Sequence, residues 1–148
     1  MRLVGSDYIF KLMSPDFVES LFNVRKRYFL GGEPSEISKG KIAYFVAKFK
    51  KSDLYKQYTL VGEGRIKAGY QIAPGDKDYA FATQNSWQYV IEFENLKQYT
   101  RKQSTLASEV FSDQVMKKLN SQRPYGVALS SEESKIAKER IRKLSPEG

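Results

Sequence analysis

The sequence predicts an α+β fold, a small mixed pseudobarrel of five or six strands with helices packed at its ends. Three observations predict it. Short aromatic and β-branched runs recur between glycine- and proline-bearing turns. Helical periodicity is dispersed among those runs rather than gathered in one block. The last third of the chain is mainly helical around one more short strand.

The elements follow in order. Tyr8-Ile9-Phe10-Lys11-Leu12 reads as a strand. Ser14-Pro15-Asp16 opens a helix, because serine caps, proline suits the first helical position and an acid there suits the helix dipole. Phe17, Val18, Leu21 and Phe22 form its apolar face, and it ends near Asn23. Lys41 to Phe49 is a nearly continuous apolar strand, turning half-exposed where Lys48 and Lys50 alternate with Ala47 and Phe49. Tyr58 to Lys67 is a strand with Leu60 and Ile66 on one parity. Gly62 and Gly64 within it mark a bulge or a close backbone approach. Pro74-Gly75-Asp76 is a turn, and Tyr79-Ala80-Phe81 a short strand. Trp87, Tyr89, Ile91 and Phe93 alternate with polar or outward positions and predict another strand. Ser112-Asp113 opens a helix carrying Val115, Met116 and Leu119. Gln122 to Gly126 turns into the strand Val127-Ala128-Leu129. Ser130 and Glu133 have the capping-box spacing and start a basic helix over 130–144.

At 148 residues, the chain is expected to form one domain over 1–148, with its core at about 8–129. It holds no cysteine and no histidine. Disulfides, thiolate–zinc sites, histidine acid–base chemistry and Ser–His or Cys–His nucleophile pairs are therefore excluded. Carboxylate sites for magnesium or calcium stay open. No apolar run approaches the ~20 residues of a membrane span, and the first residues meet a charge too early for a signal-peptide core. A cytoplasmic location and no membrane partner are the expectation. The net charge is +8, distributed as +4 over 1–50, −1 over 51–96 and +5 over 97–148. Such an excess suits an anionic polymer or an acidic surface.

Several segments together resemble the PUA-like superfamily. They are Phe17-Val18-Glu19-Ser20-Leu21-Phe22, Ser38-Lys39-Gly40-Lys41 before Ala43-Tyr44-Phe45-Val46, and Leu60-Val61-Gly62-Glu63-Gly64-Arg65-Ile66. In its EVE and ASCH branches, and in related archaeal families, a first strand and helix precede a K-G-x-x-x-x-F strand and then a V-G-x-G-x-I strand. The strand at Trp87 and the turn Arg123-Pro124-Tyr125-Gly126 also sit where those families place such elements. The resemblance spans about 8–129. It implies a PUA-like pseudobarrel that binds RNA or holds a modified base near the first helix and the barrel strands. The ASCH branch carries a lysine and a carboxylate just after that helix. Here Arg25-Lys26-Arg27-Tyr28 contains no acid, which removes support for that branch's nuclease-type activity.

The residues themselves nominate the site. Arg25, Lys26 and Arg27 form the densest basic cluster: arginine grips phosphate with two hydrogen bonds, and lysine adds a point charge. Tyr28 beside them is placed to stack on a base. The bland reading is a solvated loop after a helix. Lys48, Lys50 and Lys51 extend the phosphate track, or else protect a strand edge. Trp87 is a stacking platform if it lines a pocket, and a core ring if its strand parity rules. Arg123 and Tyr125 clamp a ligand at the barrel mouth, or simply make a turn. Glu63, Glu92 and Glu94 come closest to a catalytic or metal-holding set, but no cleft or perturbed neighbour supports one. No catalytic residue, cofactor or resident metal is assigned. The expected function is a nucleic-acid-binding module for RNA or a modified base. The alternatives are a carboxylate- and metal-dependent hydrolase or nuclease, and an interaction module for an acidic protein partner.

Overall fold

The structure, a computed structural model, describes residues 7–33, 38–49, 57–99, 105–121 and 126–144. Lys50, Lys51, Arg123 and Tyr125 lie outside the described residues.

The first strand, β1 (Tyr8–Leu12), is buried along its whole length. Helix α1 (Pro15–Glu19) follows, its first turn capped where the Phe17 N–H donates to Ser14 Oγ at 3.2 Å. It runs on as a π-helical turn over Ser20–Val24, the two together forming helix 1, and the Ser20 carbonyl accepts from both Arg25 and Lys26 N–H. Lys26, at φ +59°, reverses the chain into β2 (Arg27–Leu30). Then come β3 (Ile42–Ala47), β4 (Thr59–Gln71), helix α2 (Tyr79–Gln84) and β5 (Tyr89–Gln98). The chain closes with β6 (Thr105–Leu106), α3 (Ala107–Val110), α4 (Asp113–Leu119), β7 (Gly126–Ala128) and α5 (Ser131–Leu144). The predicted caps are in place: Val115 N–H donates to Ser112 Oγ at 3.3 Å, and Glu133 N–H to Ser130 Oγ at 3.1 Å.

The seven strands among the described residues form one mixed sheet in the order β2-β5-β4-β3-β1-β7, with β6 added beside the start of β4. Only β1 and β3 run parallel among these pairings. The sheet curls because β4 is long enough to pair β3 with its first half and β5 with most of its length, and the register slips near Gly62 and Gly64. At Gly62 the added Cβ of any other residue would lie 2.5 Å from Phe22 Cζ and 2.6 Å from the Lys97 carbonyl. The glycine in the strand therefore marks a close approach of helix 1 and β5 to β4.

Both faces of the sheet are covered, so its central strands read as apolar runs rather than strict alternation. Along β1, Tyr8, Phe10 and Leu12 face the inner core with Phe22, Tyr28, Phe45 and Phe93. Ile9 faces the opposite side with Tyr44, Val46 and the helices α3 to α5. Phe10 is the hub of the inner core, fully enclosed, with ring centroids of Tyr8, Tyr28, Phe45 and Phe93 within 4.9–5.7 Å. Burying such a ring contributes roughly 1.5–3 kcal/mol.

Two expectations are corrected. Tyr79–Phe81 is the start of α2 rather than a strand, because Asp78 and Tyr79 begin a helical hydrogen-bond series, with Ala82 N–H donating to the Asp78 carbonyl at 2.9 Å. Trp87 precedes β5 instead of lying in it, since its N–H turns back to the Ala82 carbonyl at 2.9 Å.

Gly62→Ala is expected to lower the urea midpoint, at unchanged denaturant slope, by an amount equivalent to about 1–3 kcal/mol. A midpoint equal to wild type would show that Phe22 is not seated against this strand.

Candidate functional site

The curled sheet does not pair β1 with β2. The path between them runs through β5, β4 and β3. Tyr28 stitches part of this seam: its hydroxyl donates to the Lys11 carbonyl at 2.7 Å, and its ring packs on Phe10. Above that stitch the seam stays open and forms a cavity of about 360 Å³ between the end of β1, helix 1, β2 and α2. The volume falls within the ~300–1,000 Å³ usual for small-molecule sites.

Its walls are largely aromatic. Phe29 and Trp87 are stacked with centroids 5.9 Å apart and an interplanar angle of 15°. Phe17 meets Trp87 edge-on at 5.4 Å, and Phe81 closes the cluster 5.3 Å from Phe29 and 5.7 Å from Trp87. Met13, 49% exposed, stands at the rim. Trp87 is half-buried, packed against Phe29 and Phe81 and among the residues that line the cavity.

The wall made by α2 is held from β2 by ions. Arg27 donates to Asp76 at 2.6 Å and Asp78 at 3.0 Å through one terminal nitrogen, and to Glu92 at 2.9 Å and the Tyr70 hydroxyl at 3.0 Å through the other. The Tyr70 hydroxyl donates in turn to Glu92 at 2.7 Å. Asp76 also accepts from the Asp78 N–H at 2.8 Å, closing the turn before α2. Arg25 lies beside this group, with its Nε 3.3 Å from Asp78 and its guanidinium carbon 3.6 Å from the Phe81 ring centroid.

The ionisation of these groups follows from their neighbours. Hydrogen bonding to Asp76, and then to Glu92, holds the Arg27 guanidinium protonated well above its ordinary value, against the cost of burial. The Asp76 carboxyl is lowered, chiefly by Arg27 and next by the Asp78 N–H. The Glu92 carboxyl is lowered by the Tyr70 hydroxyl and by Arg27. Tyr70 is pushed up to about 12, first by burial and then by its bond to Glu92.

The nominated residues thus separate. Lys26 is exposed, whereas Arg27 is 12% exposed and surrounded by acids. Tyr28 is buried beneath the cavity. Lys48 does not line the cavity but adjoins it, its N–H donating to the carbonyl of the lining residue Leu12 at 3.2 Å and its Nζ lying 5.2 Å from the Tyr58 ring centroid. Of the three acids singled out, Glu92 belongs to the Arg27 group, Glu63 accepts from the Tyr99 hydroxyl, and Glu94 is exposed. Among the described residues no group of three or more acids is placed to hold a metal ion. No described helix is long and apolar enough to cross a membrane. Sequence reasoning did not nominate Phe17, Phe29, Phe81, Asp76 or Asp78. A signal for α2 was present, because Asp78 before Tyr79-Ala80-Phe81-Ala82 is a helix-start pattern. Its carboxylate does not cap the helix, being taken by Arg25 and Arg27.

No protein-family model matches the chain, and no curated protein does. A solved structure is similar in fold: the N-terminal domain of Thermococcus gammatolerans McrB bound to m5C DNA. It matches with a TM-score of 0.55 at 12% sequence identity, over 95% of this chain and 99% of that one. The architecture is α+β, as the sequence predicts: a mixed sheet curled into a half-barrel with helices packed against it, with seven strands among the described residues where five or six were expected.

The lowered carboxyls set an acid response. Asp76 and Glu92 release their protons at lower pH when folded than when unfolded. Their stabilisation is complete above the unfolded carboxylate range and drains away as pH falls through the folded values. The urea midpoint should therefore drop between about pH 5 and pH 3. Asp76→Asn should be less stable at neutral pH and lose less on acidification.

Proposed function

We propose that this protein binds nucleic acid and receives one base, drawn out of its stack, in the cavity between helix 1, β2 and α2. The observation that carries this reading is the aromatic lining: Phe17, Phe29, Phe81 and Trp87 converge on a space of about 360 Å³. Flat rings at that mouth suit the faces of a nucleobase. Stacking on such platforms is worth ~1–3 kcal/mol per base, comparable to the few kcal/mol that extruding a base costs. A mispaired, modified or single-stranded base costs least to extrude and is therefore favoured.

Charge supplies the rest. The chain carries +8, and Lys26 stands exposed one residue from the two arginines that frame the cavity. Lys26 and Lys48 are the proposed phosphate contacts among the described residues. Each phosphate they neutralise releases counterions, so affinity falls as salt rises. The fold likeness to a domain bound to m5C DNA makes a methylated cytosine in DNA the first base to test, with RNA beside it.

The test is fluorescence-anisotropy titration with DNA and RNA oligonucleotides, single-stranded and duplex, with and without 5-methylcytosine, at low and physiological salt. Salt-sensitive binding is expected. Trp87→Ala should weaken it about tenfold and abolish any preference among bases. Binding that survives Trp87→Ala and Phe17→Ala unchanged would move the site off the cavity. The absence of binding to every probe at low salt would sink the nucleic-acid reading.

A further inference from the structure

Arg25 and Arg27 flank Lys26 in the densest basic stretch of the chain, and backbone geometry sends the three side chains different ways. Lys26 sits at φ +59° and projects to solvent, while both arginines turn onto the segment that begins α2. We propose that Arg25 is a positioning residue for the cavity: it holds Phe81 in the aromatic wall and sets the aperture a base would enter, instead of gripping phosphate. The proposal rests on the reading of the cavity given above.

The geometry is specific. The Arg25 guanidinium carbon lies 3.6 Å from the Phe81 ring centroid, which places the cation over the face of that ring. Its Nε stands 3.3 Å from Asp78, at ion-pair distance but without hydrogen-bond geometry, and one terminal nitrogen is 3.4 Å from Ser20 Oγ. The three partners lie on two sides of the cavity. Ser20 belongs to helix 1, whereas Asp78 and Phe81 belong to the start and middle of α2. One side chain therefore ties helix 1 to α2. Phe81 passes the restraint on through its contacts with Phe29 and Trp87.

The wall needs such a tie. Helix α2 has six residues and no side-chain cap, too short to hold its shape alone. Its apolar seat is a cluster of Phe29, Ile72, Ala82 and Val90 with the partly buried Tyr70, Tyr79, Phe81 and Trp87 packed against it, separate from the inner core. Arg27 fixes the acids at the start of α2, and Arg25 reaches the ring that faces the cavity. With its charge set against Asp78 and the face of Phe81, Arg25 leaves the solvent-facing role to Lys26. A lysine at position 25 would keep the charge but lose the planar group that lies on the ring.

Trp87 is the only tryptophan in the chain, so its fluorescence reports this wall directly. Arg25→Ala is expected to increase acrylamide quenching of Trp87, Phe81→Ala to do the same, and the double variant to add little to either. Arg25→Lys, which keeps the aliphatic stem and guards against a folding failure of the alanine variant, should not restore the wild-type value. With a 5-methylcytosine DNA duplex as probe, Arg25→Ala should weaken binding about tenfold and leave the slope of log affinity against log salt unchanged. Lys26→Ala should lower that slope by about one and leave Trp87 quenching unchanged. The proposal is overturned if Arg25→Ala lowers the slope by about one with Trp87 quenching unchanged, or if Arg25→Lys behaves as wild type. If the wild type binds no oligonucleotide, the base-binding reading of the cavity fails, and the quenching series alone still decides whether Arg25 holds the wall.

Discussion

Arg27 stands where three parts of the chain meet. It leaves β2, reaches Asp76 and Asp78 at the start of α2, and reaches Tyr70 and Glu92 on the adjoining strands β4 and β5. A guanidinium this enclosed is costly to desolvate, and four hydrogen-bond partners with three negative charges offset that cost. Removing the cation would leave those acids facing one another without compensation. The excursion between β4 and β5, which carries Phe81 and Trp87, is thereby fixed to β2. Without that anchor the outer wall would rest on an apolar cluster and a short helix.

The cavity itself follows from how the sheet is built. Alternate residues of β1 bury opposite faces, so the strand serves both the inner core around Phe10 and the outer layer of helices. The sheet curls toward closure but leaves β1 and β2 unpaired as neighbours. Tyr28 spans part of that seam with its ring and its hydroxyl. The remaining gap is lined by rings because core side chains of β2 and helix 1 continue past the stitch. A pocket in this fold therefore needs no separate excavation, since it is the unfilled part of an incompletely closed barrel.

Charge is divided with the same economy. Acids on the middle of the chain neutralise the two arginines that frame the cavity, while Lys26 remains at the surface beside them. Under the proposed function, a polyanion would meet an exposed cation next to the two arginines and find rings in the cavity. That combination suits attraction at long range and stacking at short range, the two parts of base capture.

The sequence by itself determined the local features: the caps at Ser14, Ser112 and Ser130, the strand runs, the glycines at a close approach, and the mixed α+β class. Each depends on residues a few positions apart, where backbone geometry and side-chain periodicity speak directly. It misread Tyr79–Phe81, because two aromatic residues around an alanine say little about a six-residue helix whose start is held by distant arginines. Tertiary structure alone decided the meaning of the basic cluster. Arg27 meets partners 49, 51 and 65 residues away, and no spacing rule connects them. It also decided that Trp87, Phe29, Phe81 and Phe17 share one space. Those rings come from four separate elements or connections, and only the curl of the sheet, a property of all its strands together, brings them to the same seam.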